Sequence, residues 1–285
     1  MKRFFCILLI VSLIVGILAC ALAKSEAEMN VEDMLAKGIQ YEDGDGVEQD
    51  YTQAMEWYLK AADAGNGESM RRIGNIYLRG NNVDADYEQA MKWYRKAVDA
   101  GDATAMHNIG YLYQYALGVE QDYALALEWY LKAAESDVVL SMCNIGYIYY
   151  YGLGVEKDYT QALAWYTKAA EKGEPVSTFD VGLMNYNGQG VKKNLKTAAE
   201  WYRKSAEGGY AMGMYYYAQM LEKGEGVKKD VKTAAEWYQK SAEGGYAAAM
   251  YRYAQMLEKG LGGLKKDKEL AQEWYDKAEA AGYKP

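Results

Sequence analysis

The sequence predicts an all-α protein, a solenoid of seven antiparallel helix-hairpin repeats, and three observations carry that reading. Every Trp is followed by Tyr, at Trp57, Trp93, Trp129, Trp165, Trp201, Trp237 and Trp274, with spacings of 36 residues and a final 37. Only two Pro occur in 285 residues, which suits long helical content, because Pro removes a backbone donor. Apolar residues recur at i, i+3, i+4 and i+7 inside each period, the spacing of one helix face. A fixed period of this length is the signature of a repeat array.

Each period reads as two helices. In the unit from Ala103 to Val138, helix A runs from about Ala103 to Tyr115, with Met106, Ile109, Gly110 and Tyr113 as its apolar stripe. A loop follows, and Asp122 is the expected N-cap of helix B, where its carboxylate accepts from the first-turn amides and complements the helix dipole. The cap recurs as Asp50, Asp86, Asp158, Asn194, Asp230 and Asp267, with Gln53, Gln89 and Gln161 completing capping-box arrangements. Helix B places Trp129 between Ala126 and Ala133, so the indole is expected to fill the gap between closely approaching helices. Gly74, Gly110, Gly146 and Gly182 give the same smallness in helix A, replaced later by Ala218 and Ala254. The Gly-x-Gly loops, such as Gly152-Leu153-Gly154, follow a helix rather than a strand. They therefore read as helix terminators and not as phosphate cradles.

The first 23 residues are set apart as a leader. Lys2 and Arg3 precede an apolar run from Phe4 to Ala19, and Ala21-Leu22-Ala23 offers a signal-peptidase site. Two other readings stand beside it. Ile17-Leu18-Ala19-Cys20 resembles a bacterial lipobox, with the leader ending at residue 19 and lipid on Cys20. An uncleaved anchor is the third, since Phe4 to Ala23 is 20 residues, enough to span a bilayer core of about 30 Å. All three export the chain to a bacterial periplasm, cell envelope or exterior, and contact with membrane is expected only through the leader or lipid. Residues 24–30 form a short linker, and the repeats fill 31–285.

Composition narrows the function. Cys143 is the only Cys beyond the leader and His107 the only His, so disulfides, Cys-rich metal sites and multi-His sites are not expected. Residues 31–174 carry 12 Lys and Arg against 24 Asp and Glu, whereas residues 175–285 carry 17 against 14. No basic stripe is present, which argues against nucleic acid. The gradient could orient a charged partner or permit head-to-tail self-association.

The unit Ala-x-x-Trp-Tyr-x-Lys-Ala-Ala-Glu-x-Gly, preceded by Gly-x-Gly-Val-x-x-Asp-Tyr, resembles the Sel-one-like repeat (SLR) of the tetratricopeptide-like superfamily, whose basic repeat is ~34 residues. Ala162 to Gly173 follows it almost residue for residue. The resemblance implies a right-handed superhelix with helix A lining the concave side. It also implies work as an adaptor or scaffold rather than as an enzyme, without a cofactor. Asn108 and Asn144 match the family's Asn before Leu-Gly, although Ile stands in the Leu position here.

Concave faces of such arrays are the usual binding surfaces. The positions flanking the small residue of helix A supply the candidates Arg72, Asn75, Asn108, Tyr111, Asn144, Tyr147, Tyr216 and Arg252. Tyr gives large contact area at low entropy cost, so Tyr111, Tyr147 and Tyr216 suggest an aromatic track for an extended protein or peptide partner. The alternative for the Asn pair is bonding to the neighbouring repeat's backbone. The signature residues Tyr58, Tyr94 and Tyr123 are expected to be half-buried. Glu42, Asp43 and Asp45 cluster in the first hairpin loop, where solvation or weak cation binding is the default. No Ser-x-x-Lys or Ser/His/Asp set is found. A β-lactamase-like protein, or one that binds or processes peptidoglycan, remains the alternative class. The helix carrying Trp274 is not followed by a polar helix in the sequence, and a partner or second copy could cover it.

Overall fold

The structure, a computed structural model, describes residues 29–81 and 84–284. The leader, Cys20 and the cleavage site lie outside them. Every helix or strand among the described residues is an α-helix. These are α1 (Val31–Asp43), α2 (Tyr51–Asp63), α3 (Gly67–Arg79), α4 (Tyr87–Asp99), α5 (Ala103–Gln114), α6 (Tyr123–Glu135) and α7 (Val139–Tyr151). They continue as α8 (Tyr159–Glu171), α9 (Pro175–Asn187), α10 (Leu195–Glu207), α11 (Ala211–Lys223), α12 (Val231–Glu243), α13 (Ala247–Lys259) and α14 (Lys268–Ala280). None is long and apolar enough to cross a membrane. The chain divides into two compact units at Glu120 and Gln121. Within the first, α1 to α5 pack each on the next; within the second, α6 to α14 do the same.

The caps form as the sequence requires. Asp50 accepts from the backbone N–H groups of Thr52 and Gln53, and Asp158 from those of Thr160 and Gln161. The return bond of the capping box is replaced, because the cap's own N–H is already used. Asp50, Asp86 and Asp158 donate it to the carbonyls of Tyr41, Tyr77 and Tyr149 in the preceding helix. Each hairpin is thereby tied to its own helix B. Gly152 and Gly188 end their helices at φ of 71° and 75°, the left-handed region that glycine enters without strain. Ala116 occupies the corresponding place in its loop at φ 57°, a conformation that costs an L-residue roughly 1–2 kcal/mol.

The Trp-Tyr pair divides its work in a way that corrects the sequence reading. Tyr58 and Tyr94 are completely buried, not half-buried, as are Tyr130, Tyr202 and Tyr238; Tyr123 is half-buried as expected. The Tyr ring, and not the indole, fills the gap left by the helix A glycine. A Cβ on Gly74 would lie 2.5 Å from the Tyr94 ring, and one on Gly182 2.7 Å from Tyr202. The indoles are partly buried, apart from Trp57 at 5% exposure. Each is covered by the Lys three residues on, with Nζ between 3.9 Å (Lys168 on Trp165) and 4.7 Å (Lys132 on Trp129) from the ring centroid. Cation–π attraction of that kind contributes about 0.5–1 kcal/mol at an exposed site, which accounts for the Lys in Trp-Tyr-x-Lys.

Helix α1 departs from the later helices A on one stripe. Ser69, Ile73 and Ile76 of α3 are buried, as are Ser141, Ile145 and Ile148 of α7. Asp33, Lys37 and Gln40 hold the corresponding places in α1, giving it a polar face where the others carry an apolar one.

Candidate functional site

In the first unit, α3 and α5 border a pocket of about 600 Å³ lined by Arg71, Asn75, Arg79, His107, Asn108 and Tyr111, among others. Three of the sequence-derived candidates therefore meet at one place. Helical periodicity is the cause, since the residue after the glycine of α3 and the residues two before and one after that of α5 face the same side. Asn108 Nδ2 donates to Asn75 Oδ1 at 3.1 Å, and the Tyr94 hydroxyl donates to the same oxygen at 2.8 Å. Asn108 thus bonds to the adjacent repeat's side chain rather than to its backbone. Arg71 Nε reaches Asp102 at 2.8 Å, which holds its guanidinium at the wall. Tyr111 is 37% exposed, its ring 4.5 Å from that of Tyr115. Burial pushes the His107 imidazole down to about 4, so it is neutral at pH 7.

Arg72 belongs to a different arrangement. Its Nη1 lies 2.8 Å from Glu42 Oε2, which also accepts the Tyr58 hydroxyl, and its Nε bonds Glu68 at 2.9 Å. Glu42 is therefore bound between phenol and guanidinium, not solvated in a loop as its neighbours Asp43 and Asp45 suggested.

The second unit repeats both themes. Gln219, Glu222, Lys223, Tyr238 and Arg252 line a pocket of about 620 Å³, and Arg252 Nε is 3.2 Å from Glu222 Oε2. Tyr147 is 41% exposed, its ring 4.6 Å from Tyr151. Asn144 is half-buried on the same helix. Tyr216 packs inward on Phe179 at 5.2 Å and Tyr202 at 5.5 Å, so much of its ring is committed to the core. Asp180 stands in the register of Arg72 and Arg252. Burial, with Glu174 adding a like charge, pushes its carboxyl up to about 7. Cys143 is held up at about 11 by burial and receives the Ser177 hydroxyl at 3.1 Å, an environment that suppresses thiolate chemistry.

Sequence reasoning missed Arg71, Arg79 and Glu222 as lining residues. The only signal was their offset of three to five positions from the small residue of helix A, which places them on the same face.

Residues 34–66, 67–102, 103–138, 139–174, 175–210, 211–246 and 247–283 each match the Sel1 repeat. The chain belongs to the Sel1 repeat family. Sel1 repeat proteins generally act as protein–protein interaction scaffolds and are typically non-catalytic. A Sel1 repeat protein from Oxalobacter formigenes is 34% identical, with a TM-score of 0.79 over 88% of this chain and 100% of that one. The protective antigen c5321 of uropathogenic Escherichia coli strains, which displays an SLR fold, is 36% identical with a TM-score of 0.75 over 89% of this chain. This chain spans 54% of that antigen's length. No curated protein matches the chain.

Proposed function

We propose that this chain is a non-catalytic adaptor, exported to the cell envelope, that binds a protein or peptide segment on the helix A faces of its repeats. The observation that carries the reading is the pocket formed by Asn75, Asn108 and Tyr111. The bond between the two Asn uses the oxygen of one and the NH2 of the other. The remaining NH2 and oxygen are the donor and acceptor that a peptide backbone unit requires. Tyr111 adds an exposed ring with a polar tip, a surface suited to side-chain contact. Pairing of this kind recognises an extended backbone with little regard to sequence, as a scaffold requires. The leader at residues 1–23 supports export, with lipid on Cys20 as a second form of attachment. The similarity to a protein described as a protective antigen agrees with it.

Affinity capture from an extract of the native host tests the reading. Asn75→Ala and Asn108→Ala are each expected to lower recovery of a partner about fivefold, the worth of one hydrogen bond of ~1 kcal/mol. Unchanged recovery with the double variant would contradict the groove, and turnover of nitrocefin above a heat-killed control would contradict the non-catalytic assignment.

A further inference from the structure

Three helix A carboxylates share one register: Glu42, Glu222 and Glu258, each four residues beyond the small residue Gly38, Ala218 or Ala254. Each accepts the hydroxyl of its own repeat's Trp-Tyr tyrosine. Tyr58 donates to Glu42, Tyr238 to Glu222 at 2.8 Å, and Tyr275 to Glu258 at 3.1 Å. In the first two cases the next helix A completes the group with an arginine, Arg72 for Glu42 and Arg252 for Glu222. The Arg72 guanidinium also lies 5.9 Å from the centroid of the Tyr58 ring. Twice, then, a carboxylate that accepts a tyrosine hydroxyl also binds a guanidinium, Arg72 having Glu68 as a second carboxylate. Among the described residues no cation forms an ion pair with Glu258.

The seat beside this third pair is visible. Helix α13 packs on α12, and its Ala249, Tyr253 and Met256 share one buried cluster with Ala235, Tyr238 and Ala242 of α12. On α14 the corresponding places are Gln272, Tyr275 and Glu279, and with Tyr251 and Tyr283 they line a pocket of about 660 Å³. The Tyr251 ring is 5.1 Å from Tyr275 and 4.7 Å from Tyr283. Ala235 and Ala242 are 2% and 1% exposed, whereas Gln272 and Glu279 are exposed. An apolar helix seated here would desolvate an amide and a carboxylate, a cost that the alanines of α12 avoid. Lys284 is also in the lining.

We propose that this seat is a guanidinium receptor, which takes an arginine side chain presented by a helix or turn of a partner protein. Glu279 supplies a charge in the lining itself and Glu258 a second one behind it, bonded to the Tyr275 hydroxyl, and the Tyr251, Tyr275 and Tyr283 rings supply faces for the planar cation to stack on. Arginine is favoured over lysine because its fork matches a carboxylate bidentately and its plane stacks on aromatic rings. The seat shares no residue with the Asn75–Asn108 pocket and does not depend on that pocket's role.

The test uses the full chain labelled with 13C in its tyrosine rings, titrated with Nα-acetylarginine amide and, for comparison, Nα-acetyllysine amide. The Tyr251, Tyr275 and Tyr283 resonances are expected to shift saturably, with arginine at least fivefold tighter than lysine. Glu279→Gln is expected to weaken arginine threefold or more, and with Glu258→Gln added the loss should exceed tenfold. Glu279 is exposed, so its variant tests the site even if Glu258→Gln disturbs folding. No saturable shift, equal binding of both amides, or full binding by Glu279→Gln would overturn the proposal. A monomer–dimer equilibrium in sedimentation that Glu279→Gln abolishes would assign the seat to a second copy and overturn the partner-protein version.

Discussion

Tyr202→Ala is expected to destabilise the second unit by about 3–5 kcal/mol, the usual cost of emptying a large buried aromatic site. The ring is 1% exposed, stacks on Phe179 at 5.3 Å and sits against Gly182, so the cavity has little means of collapse. Phenylalanine at the same place has the opposite effect. The Tyr202 hydroxyl is buried with no hydrogen-bond partner among the described residues, and removing such a group is expected to raise stability by about 1 kcal/mol. Tyr238→Phe is expected to lower it by a similar amount, because that hydroxyl donates to Glu222 at 2.8 Å. Urea unfolding of the three variants, followed by circular dichroism, measures all three differences. If both Phe variants moved in the same direction, the division of tyrosines into bonded and unbonded would be wrong.

The second large effect is a pH dependence of opposite sign in the two units. The folded Asp180 carboxyl titrates near 7, above its unfolded value of 3.8. Its contribution is therefore full below 3.8 and is lost as pH rises through 7. Glu174, Tyr166, Tyr202, Tyr210, Tyr151 and Cys143 share its surroundings, and none is a cation. At pH 8 the wild-type chain holds an ionised, largely buried carboxylate that Asp180→Asn removes. The variant should be more stable there by roughly 4 kcal/mol, with the difference shrinking towards pH 4. His107 runs the other way. Its folded value near 4 lies below the ordinary 6.5, so its contribution is full above 6.5 and is lost as pH falls towards 4. Hydrogen exchange resolved by unit, compared between wild type, Asp180→Asn and His107→Gln, reads both signs. A wild-type second unit whose stability did not fall between pH 5 and 8 relative to Asp180→Asn would contradict this account.

Repeat number, helix boundaries and caps were legible in the sequence because each depends on local pattern. The Asp and Asn caps placed the start of each helix B among the described residues, and the helix A expected from Ala103 to Tyr115 runs from Ala103 to Gln114. The partition of the Trp-Tyr pair was not legible. Adjacent residues on a helix differ by about 100° in direction, and only the position of the neighbouring helix decides which of the two is enclosed. Candidate positions on helix A were read from their register alone, and their partners were not legible. Nothing local says that Arg72 meets a carboxylate 30 residues earlier, or that Tyr216 turns onto Phe179 while Tyr147 remains exposed. Those outcomes depend on which side chain the adjacent repeat offers.

The most direct measurement of the central claim is site-specific photo-crosslinking in the native host, with a benzophenone amino acid at position 111 in the Asn75–Asn108 pocket and, as control, at Arg95 on the exposed side of α4. A discrete protein adduct is expected from position 111, absent from position 95 and lost when Asn75→Ala and Asn108→Ala are introduced together. Adducts from both positions alike, or an adduct from 111 that survives the double substitution, would contradict the helix A face as the binding surface.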